Sequence, residues 1–175
     1  MSDSGFRLLG PADLTDLRCR APKNRELLDY WLGKRGARRM PSRSDIDPTE
    51  IPDLLPHIMM TELTYEPFRA RYRLVGTEIV TFAQFDFTNQ YADALQFQDE
   101  DTFDYAGCYR QVADAGGPGI GLSHWRVKGN ATRWIEFMIC PLSQDDRVVT
   151  QCIATEDYEP LNLLERESLD PVAKR

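Results

Sequence analysis

The sequence predicts an α+β domain: one five-stranded antiparallel sheet with helices on one face, preceded by an N-terminal amphipathic helix. Three observations carry this. Between residues 57 and 158 two strand-like stretches are followed by a helical region and then by three more strand-like stretches, an order that differs from the strict βαβα alternation of a parallel sheet. The clearest stretch, RARYRLVG, alternates, with Tyr72 and Leu74 on one face and Arg71 and Arg73 on the other, as in a sheet with one wet side. Ahead of these, Leu27, Leu28, Trp31 and Leu32 recur at helical spacing.

Taken in order, residues 1–21 read as a flexible arm. Residues 22–36 read as one helix, begun at Pro22 or Asn24 and stopped at Gly36 after Lys34 and Arg35, whose charges suit the negative end of its dipole. Residues 37–56 read as a connector of loop and short turns, with Asp47-Pro48 as a cap followed by a first helical position and with Pro52 and Pro56 keeping any helix short. The core domain, 57–158, opens with HIMMTELTYE and RARYRLVG joined by a turn at Glu66-Pro67-Phe68. Residues 76–97 are helical or irregular and rich in rings. A helix spans 100–115, acidic at its start and halted by Gly116-Gly117-Pro118. Strands follow at about 119–127, 132–142 and 147–157, the last two joined by a turn at Ser143-Gln144-Asp145-Asp146. Residues 159–175 are a polar tail or short helix.

Composition narrows the function. With 175 residues, 42% hydrophobic, and a formal net charge of -7, the chain is neither a disordered segment nor a disulfide miniprotein nor a general polyanion binder. It has no apolar run of membrane-spanning length and no signal-peptide-like start, so a cytoplasmic protein is expected. Cys19, Cys108, Cys140 and Cys152 lack CxxC spacing and read as reduced, mostly buried thiols; a Cys140–Cys152 bridge would run against that compartment. The basic stretch from Arg18 to Arg43 holds nine basic and two acidic residues on an otherwise acidic chain. It reads as a solvated face or as a segment that docks on the body or on a partner, and not as a nucleic-acid reader, because no aromatic-interleaved basic sheet accompanies it.

The segments SRSDIDPTEIPDLLPHIMMTEL, RYRLVGTEIV, FTNQY and WIEFMICPLSQDDRVV resemble the bacterial single-domain PAS family common in alphaproteobacteria, over about residues 25–157. The resemblance implies a PAS core behind a Trp-bearing helix, a sensory or regulatory role, and a separate signalling protein, such as a histidine kinase or another regulator, as partner. Within these 175 residues no kinase, cyclase or DNA-binding output is expected.

Eight of the eighteen aromatic residues fall between 82 and 109, and helices so rich in rings over a curved apolar face often leave a cleft. A turn centred on Asp145 and Asp146 sets Ile139 opposite Cys152 and Phe137 opposite Ala154. The candidate cleft then has Tyr72, Leu74, Phe137, Ile139, Cys152 and Ala154 as floor, Cys108, Tyr109 and Val112 as roof, and Leu122 with His124 along one side; Phe85 and Tyr105 are also candidate cleft residues. A buried His124 or Tyr105 would orient a small apolar or aromatic ligand. The alternative is a filled core in a ligand-free interaction module.

On the outer face, Trp134, Met138 and Ile153 form an apolar patch that Leu27, Leu28 and Trp31 would cover, either on their own sheet or on a neighbour's. Such a patch favours a homodimer. Arg71 and Arg73 would pair with Glu136 at its rim. No cofactor is expected. A flavin–cysteine adduct needs a thiol near Thr88-Asn89-Gln90, where none stands, and haem needs an axial ligand on the 100–115 helix, which offers only Cys108. His57 and His124 have no metal-ligand spacing. A Cys108–His124 dyad lacks a third group and oxyanion donors, so no enzyme is expected.

Overall fold

In the computed structural model, which describes residues 5–17, 19–95, 103–127 and 131–158, the chain begins with strand β1 (Gly5–Leu8) and helix α1 (Pro11–Asp16). The sequence suggests only a loose arm here. The strand is short, and it is held at the sheet edge by pairing antiparallel to β4, with Phe6 opposite Gly121. Helix α2 (Pro22–Arg35) has the expected bounds, with Pro22 in its first turn and Gly36 at φ 58° ending it. Three short 3-10 turns follow at 43–45, 48–50 and 55–57; Asp47 caps the second by accepting from Thr49 N.

Strands β2 (Ile58–Tyr65) and β3 (Phe68–Val75) form the expected hairpin. Helix α3 (Thr77–Ala83) and helix α4 (Tyr105–Ala115) then cross to the strands β4 (Gly119–Val127), β5 (Ala131–Leu142) and β6 (Gln151–Asp157). Asp104 caps α4 by accepting from Gly107 N at 2.8 Å. Residues 100–102 of the expected helix, Phe97 and the tail from 159 onward lie outside the described residues. Among the described residues the sheet therefore has six strands, not five, in the order β1-β4-β5-β6-β2-β3, every neighbouring pair antiparallel.

Each side of the sheet carries a different cover. On the outer side α2 lays Leu27, Leu28 and Trp31 against β5 and β6, all three fully buried. Burying side chains of this size contributes about 1.5–3 kcal/mol each. Trp31 adds direction, because its Nε1 donates to the Pro141 carbonyl at 2.8 Å. On the inner side α4 packs against β5, β1 and β3 and brings in Tyr105, Cys108, Tyr109 and Val112. Strand β4 contributes a row of small residues there. A side chain at Gly121 would run into the Phe137 ring, and one at Gly119 into Phe6. The two rings lie stacked with centroids 5.9 Å apart.

Candidate functional site

The β5–β6 register decides what faces inward. The connection is longer than the expected four-residue turn, spanning 143–150, because Asp145 folds it over itself: its carboxylate accepts from Ser143 Oγ, Arg147 N and Val148 N. Ile139 consequently pairs with Ala154, and Phe137 with Glu156, a slip of two residues from the expected pairing. A slip of two keeps every side chain on its side of the sheet. Phe137, Ile139 and Cys152 remain inward, and Glu156, absent from the expected cleft, joins them.

Phe137 stands opposite it, His57 Nδ1 lies 3.3 Å from its backbone carbonyl, and farther along the same inner face, level with Cys152, are Thr61 from β2 and Tyr72 from β3, with Tyr109 from α4 above them. Thr61 Oγ1 donates to the Tyr109 hydroxyl at 3.0 Å, and the Tyr72 ring meets that of Tyr109 edge-on at 6.1 Å. Burial pushes both phenols up, and the nearby Glu156 carboxylate pushes them further. Glu156 itself is 4% exposed, and its Oε2 is buried without a hydrogen-bond partner. Burial raises its carboxyl to about 7, since a charge without compensation is disfavoured in a low-dielectric interior. Beside this group, the Tyr105 hydroxyl and Ser123 Oγ are 2.7 Å apart.

Of the expected cleft residues, Tyr72, Tyr105, Cys108, Tyr109, Phe137, Ile139 and Cys152 are buried in the core. Four others are placed differently. A bulge between Met60 and Thr61 moves the β3 register, so Leu74 pairs with Met60 on the outer side and is 47% exposed. Phe85 is 43% exposed beyond the end of α3. Leu122 and His124 alternate with the inward Gly121 and Ser123 and therefore belong to the outer side, where His124 pairs with Trp134 in register and their rings are 5.2 Å apart. The sequence clue was the small row Gly119, Gly121, Ser123, which had to be the row beneath the rings.

The outer side also differs from expectation in its polar part. Glu136 does not meet Arg71 and Arg73. It is 6% exposed and accepts from Arg20 N at 3.1 Å, Ala21 N at 3.0 Å and Asn24 Nδ2 at 3.1 Å, at the start of α2. Thr155 Oγ1 completes the group by donating to Asn24 Oδ1 at 2.8 Å. Arg71 instead pairs with Glu62 at 2.6 Å. Met138 and Ile153 are fully buried beneath their own α2, so the apolar patch that favours a homodimer is covered within a single chain. Trp134 is half-buried.

The basic stretch docks largely on its own body. Lys34 pairs with Glu50, Arg38 with Asp45, and the Asp146 carboxylate accepts from Arg39 N and Met40 N. Hydrogen bonds from Arg38 and Ser42 hold Asp45 down at about 2. The four cysteines are free thiols. Burial pushes Cys108 up to about 12 and Cys19 to about 11, so neither is a ready thiolate. Among the described residues no group of three or more His, Cys, Asp or Glu converges on a common point, and no helix is long and apolar enough to cross a membrane.

A family model described as a PAS domain, PAS_5, matches residues 19–153. A search of curated proteins finds no match. Among solved structures, a light-oxygen-voltage domain studied with a flavin analogue is 12% identical, covering 69% of this chain and 92% of its own, with a TM-score of 0.49. An RNA-binding light-oxygen-voltage receptor is 14% identical over 77% of this chain and 40% of its own, TM-score 0.48. The Rhodobacter sphaeroides LOV protein is 10% identical over 58% and 59%, TM-score 0.44.

Proposed function

The chain belongs to the PAS_5 family of PAS domains, and from that premise we propose that it is a sensory module whose inner sheet face, under α4, binds a small apolar or aromatic ligand and passes its occupancy to a separate signalling protein such as a histidine kinase or another regulator. One observation carries the reading: a carboxylate, Glu156, is kept inside a ring-lined face without a partner for Oε2. An uncompensated buried acceptor costs about 1–3 kcal/mol and more when charged. A core that served packing alone would gain by losing it.

The sensing step is differential binding. A ligand shifts the domain between two arrangements only by as much as it prefers one, and a tenfold change takes about 1.4 kcal/mol. The route from Glu156 to the helices runs through the end of β6. Two residues past Glu156, Tyr158 stacks on Phe82 of α3 with centroids 4.0 Å apart and donates to the Glu78 carbonyl at 3.0 Å. A change at Glu156 therefore bears directly on how the end of β6 holds α3.

A second reading, a ligand-free interaction module, draws on the ring contacts of the inner face, such as Tyr72 with Phe87 at 4.9 Å and Phe137 with Tyr105 at 5.5 Å. Native mass spectrometry of freshly purified protein separates the two. The ligand reading expects a bound mass that leaves on denaturation; a protein that is only ever apo supports the filled core.

A further inference from the structure

Asp45, Asp145, Asp146 and Glu136 each accept from two or more donors, and Glu156 differs from them in what it lacks. Glu156 lies on the inward row of β6 after Cys152 and Ala154, opposite Phe137. Its charge acts on Tyr72 and Tyr109. The Tyr109 oxygen takes its bond from Thr61, and Oε2 receives none. The missing partner is therefore a donor, on a face rich in rings whose own hydroxyls are paired with one another.

A carboxylate is matched best by two parallel N–H groups in one plane, a fork that gives both charge assistance and orientation. The Phe137 ring opposite Glu156, itself in contact with the Tyr105 ring at 5.5 Å, suits a ligand that carries such a fork on an aromatic ring. We propose that Glu156 is the recognition group of the inner face and selects a small planar aromatic ligand bearing an amidine-like N–H fork, such as an amino-substituted nitrogen heterocycle. This rests on the ligand-binding reading above. The phenols of Tyr72 and Tyr109 stay protonated and shape the apolar flank, while Glu156 supplies the acceptor and the counter-charge. Because the free carboxyl is raised to about 7, ligation by a cation also stabilises its ionised form and releases protons at or below neutral pH.

The test is calorimetric titration of the full chain at pH 7.5 with two bicyclic probes of similar size, 2-aminobenzimidazole, which carries the fork, and benzothiophene, which has no donor. The wild type binds 2-aminobenzimidazole at least tenfold more tightly than benzothiophene. Glu156→Gln, checked for folding by circular dichroism, loses that preference and binds benzothiophene as before. A carbon-13 titration of wild-type Glu156 provides a readout that needs no variant: saturating 2-aminobenzimidazole moves its carboxyl midpoint down by a full pH unit or more. Equal binding of both probes, an unmoved carboxyl midpoint, or a preference that survives in Glu156→Gln overturns the selection by Glu156 and leaves the aromatic-ligand reading standing. Failure of both probes to bind overturns the selection, and an apo mass in native spectrometry then removes the ligand reading as well.

Discussion

Glu136 and Glu156 sit on adjacent strands of one sheet, equally hidden from water, and face opposite sides. Glu136 looks out at the start of α2 and is met by two backbone N–H groups and the Asn24 amide. It fixes the helix to the sheet and satisfies the N–H of the cap residue Ala21, one of the donors that a helix start leaves without an intrahelical partner. Glu156 looks inward and leaves an oxygen unmet. The same side chain is thus a structural clasp on one face and a destabilising group on the other. Burial alone says little about a carboxylate; the donor count tells which role it has.

The largest expected effect tests the clasp. Glu136→Leu strips the acceptor from three donors at once, and at about 1–3 kcal/mol for each unsatisfied group, softened where water reaches Arg20, the loss is about 4 kcal/mol in urea unfolding. Amide exchange over residues 20–28 should accelerate with it. A loss below about 1 kcal/mol would show that apolar packing by Leu27, Leu28 and Trp31 holds α2 without help.

The opposite sign is expected inside. A carboxyl whose folded value is raised from the ordinary carboxylate range to about 7 contributes stability that is complete below its unfolded value and is lost as pH rises through 7. Wild-type protein should therefore weaken between about pH 5 and pH 8, by up to about 3 kcal/mol at about 1.4 kcal/mol per unit. Glu156→Gln removes that decline, so it unfolds at higher urea than the wild type at pH 8 and shows no such gain at pH 5. A variant that is weaker at both pH values would mean that the carboxylate has a partner.

The smallest effect belongs to the exposed pairs. Lys34→Ala removes the pair with Glu50 at the surface and should leave the urea midpoint unchanged within error, since solvent and salt screen such contacts. A clear drop would make the basic stretch part of what holds α2 in place.

Much of the frame was legible in the residues. Pro22 and Gly36 bracket α2, Gly116 ends α4, and the strand-helix-strand order gives the antiparallel sheet. Strand β1 escaped because GFRL is short and mostly exposed, and pairing with β4, which no local pattern encodes, is what orders it. Leu74 was misplaced by a bulge, which breaks strict alternation without a sequence mark. Leu122 and His124 were misplaced by taking the larger residues of GIGLSH to point inward; the glycines point inward because the rings of Phe6 and Phe137 occupy the space a side chain would need. Glu156 was overlooked because an acid near a strand end reads as solvent-facing, although alternation from Cys152 through Ala154 already assigns it to the inner row.

The most direct test of the contrast is a carbon-13 titration of the side-chain carboxyl of Glu156 in the free wild-type protein, assigned by its disappearance in Glu156→Gln. A midpoint near 7 is predicted for a carboxylate buried without a donor on Oε2. A midpoint in the ordinary carboxylate range, near 4.5, would mean that Glu156 is solvated or partnered, and would contradict the distinction between the two faces.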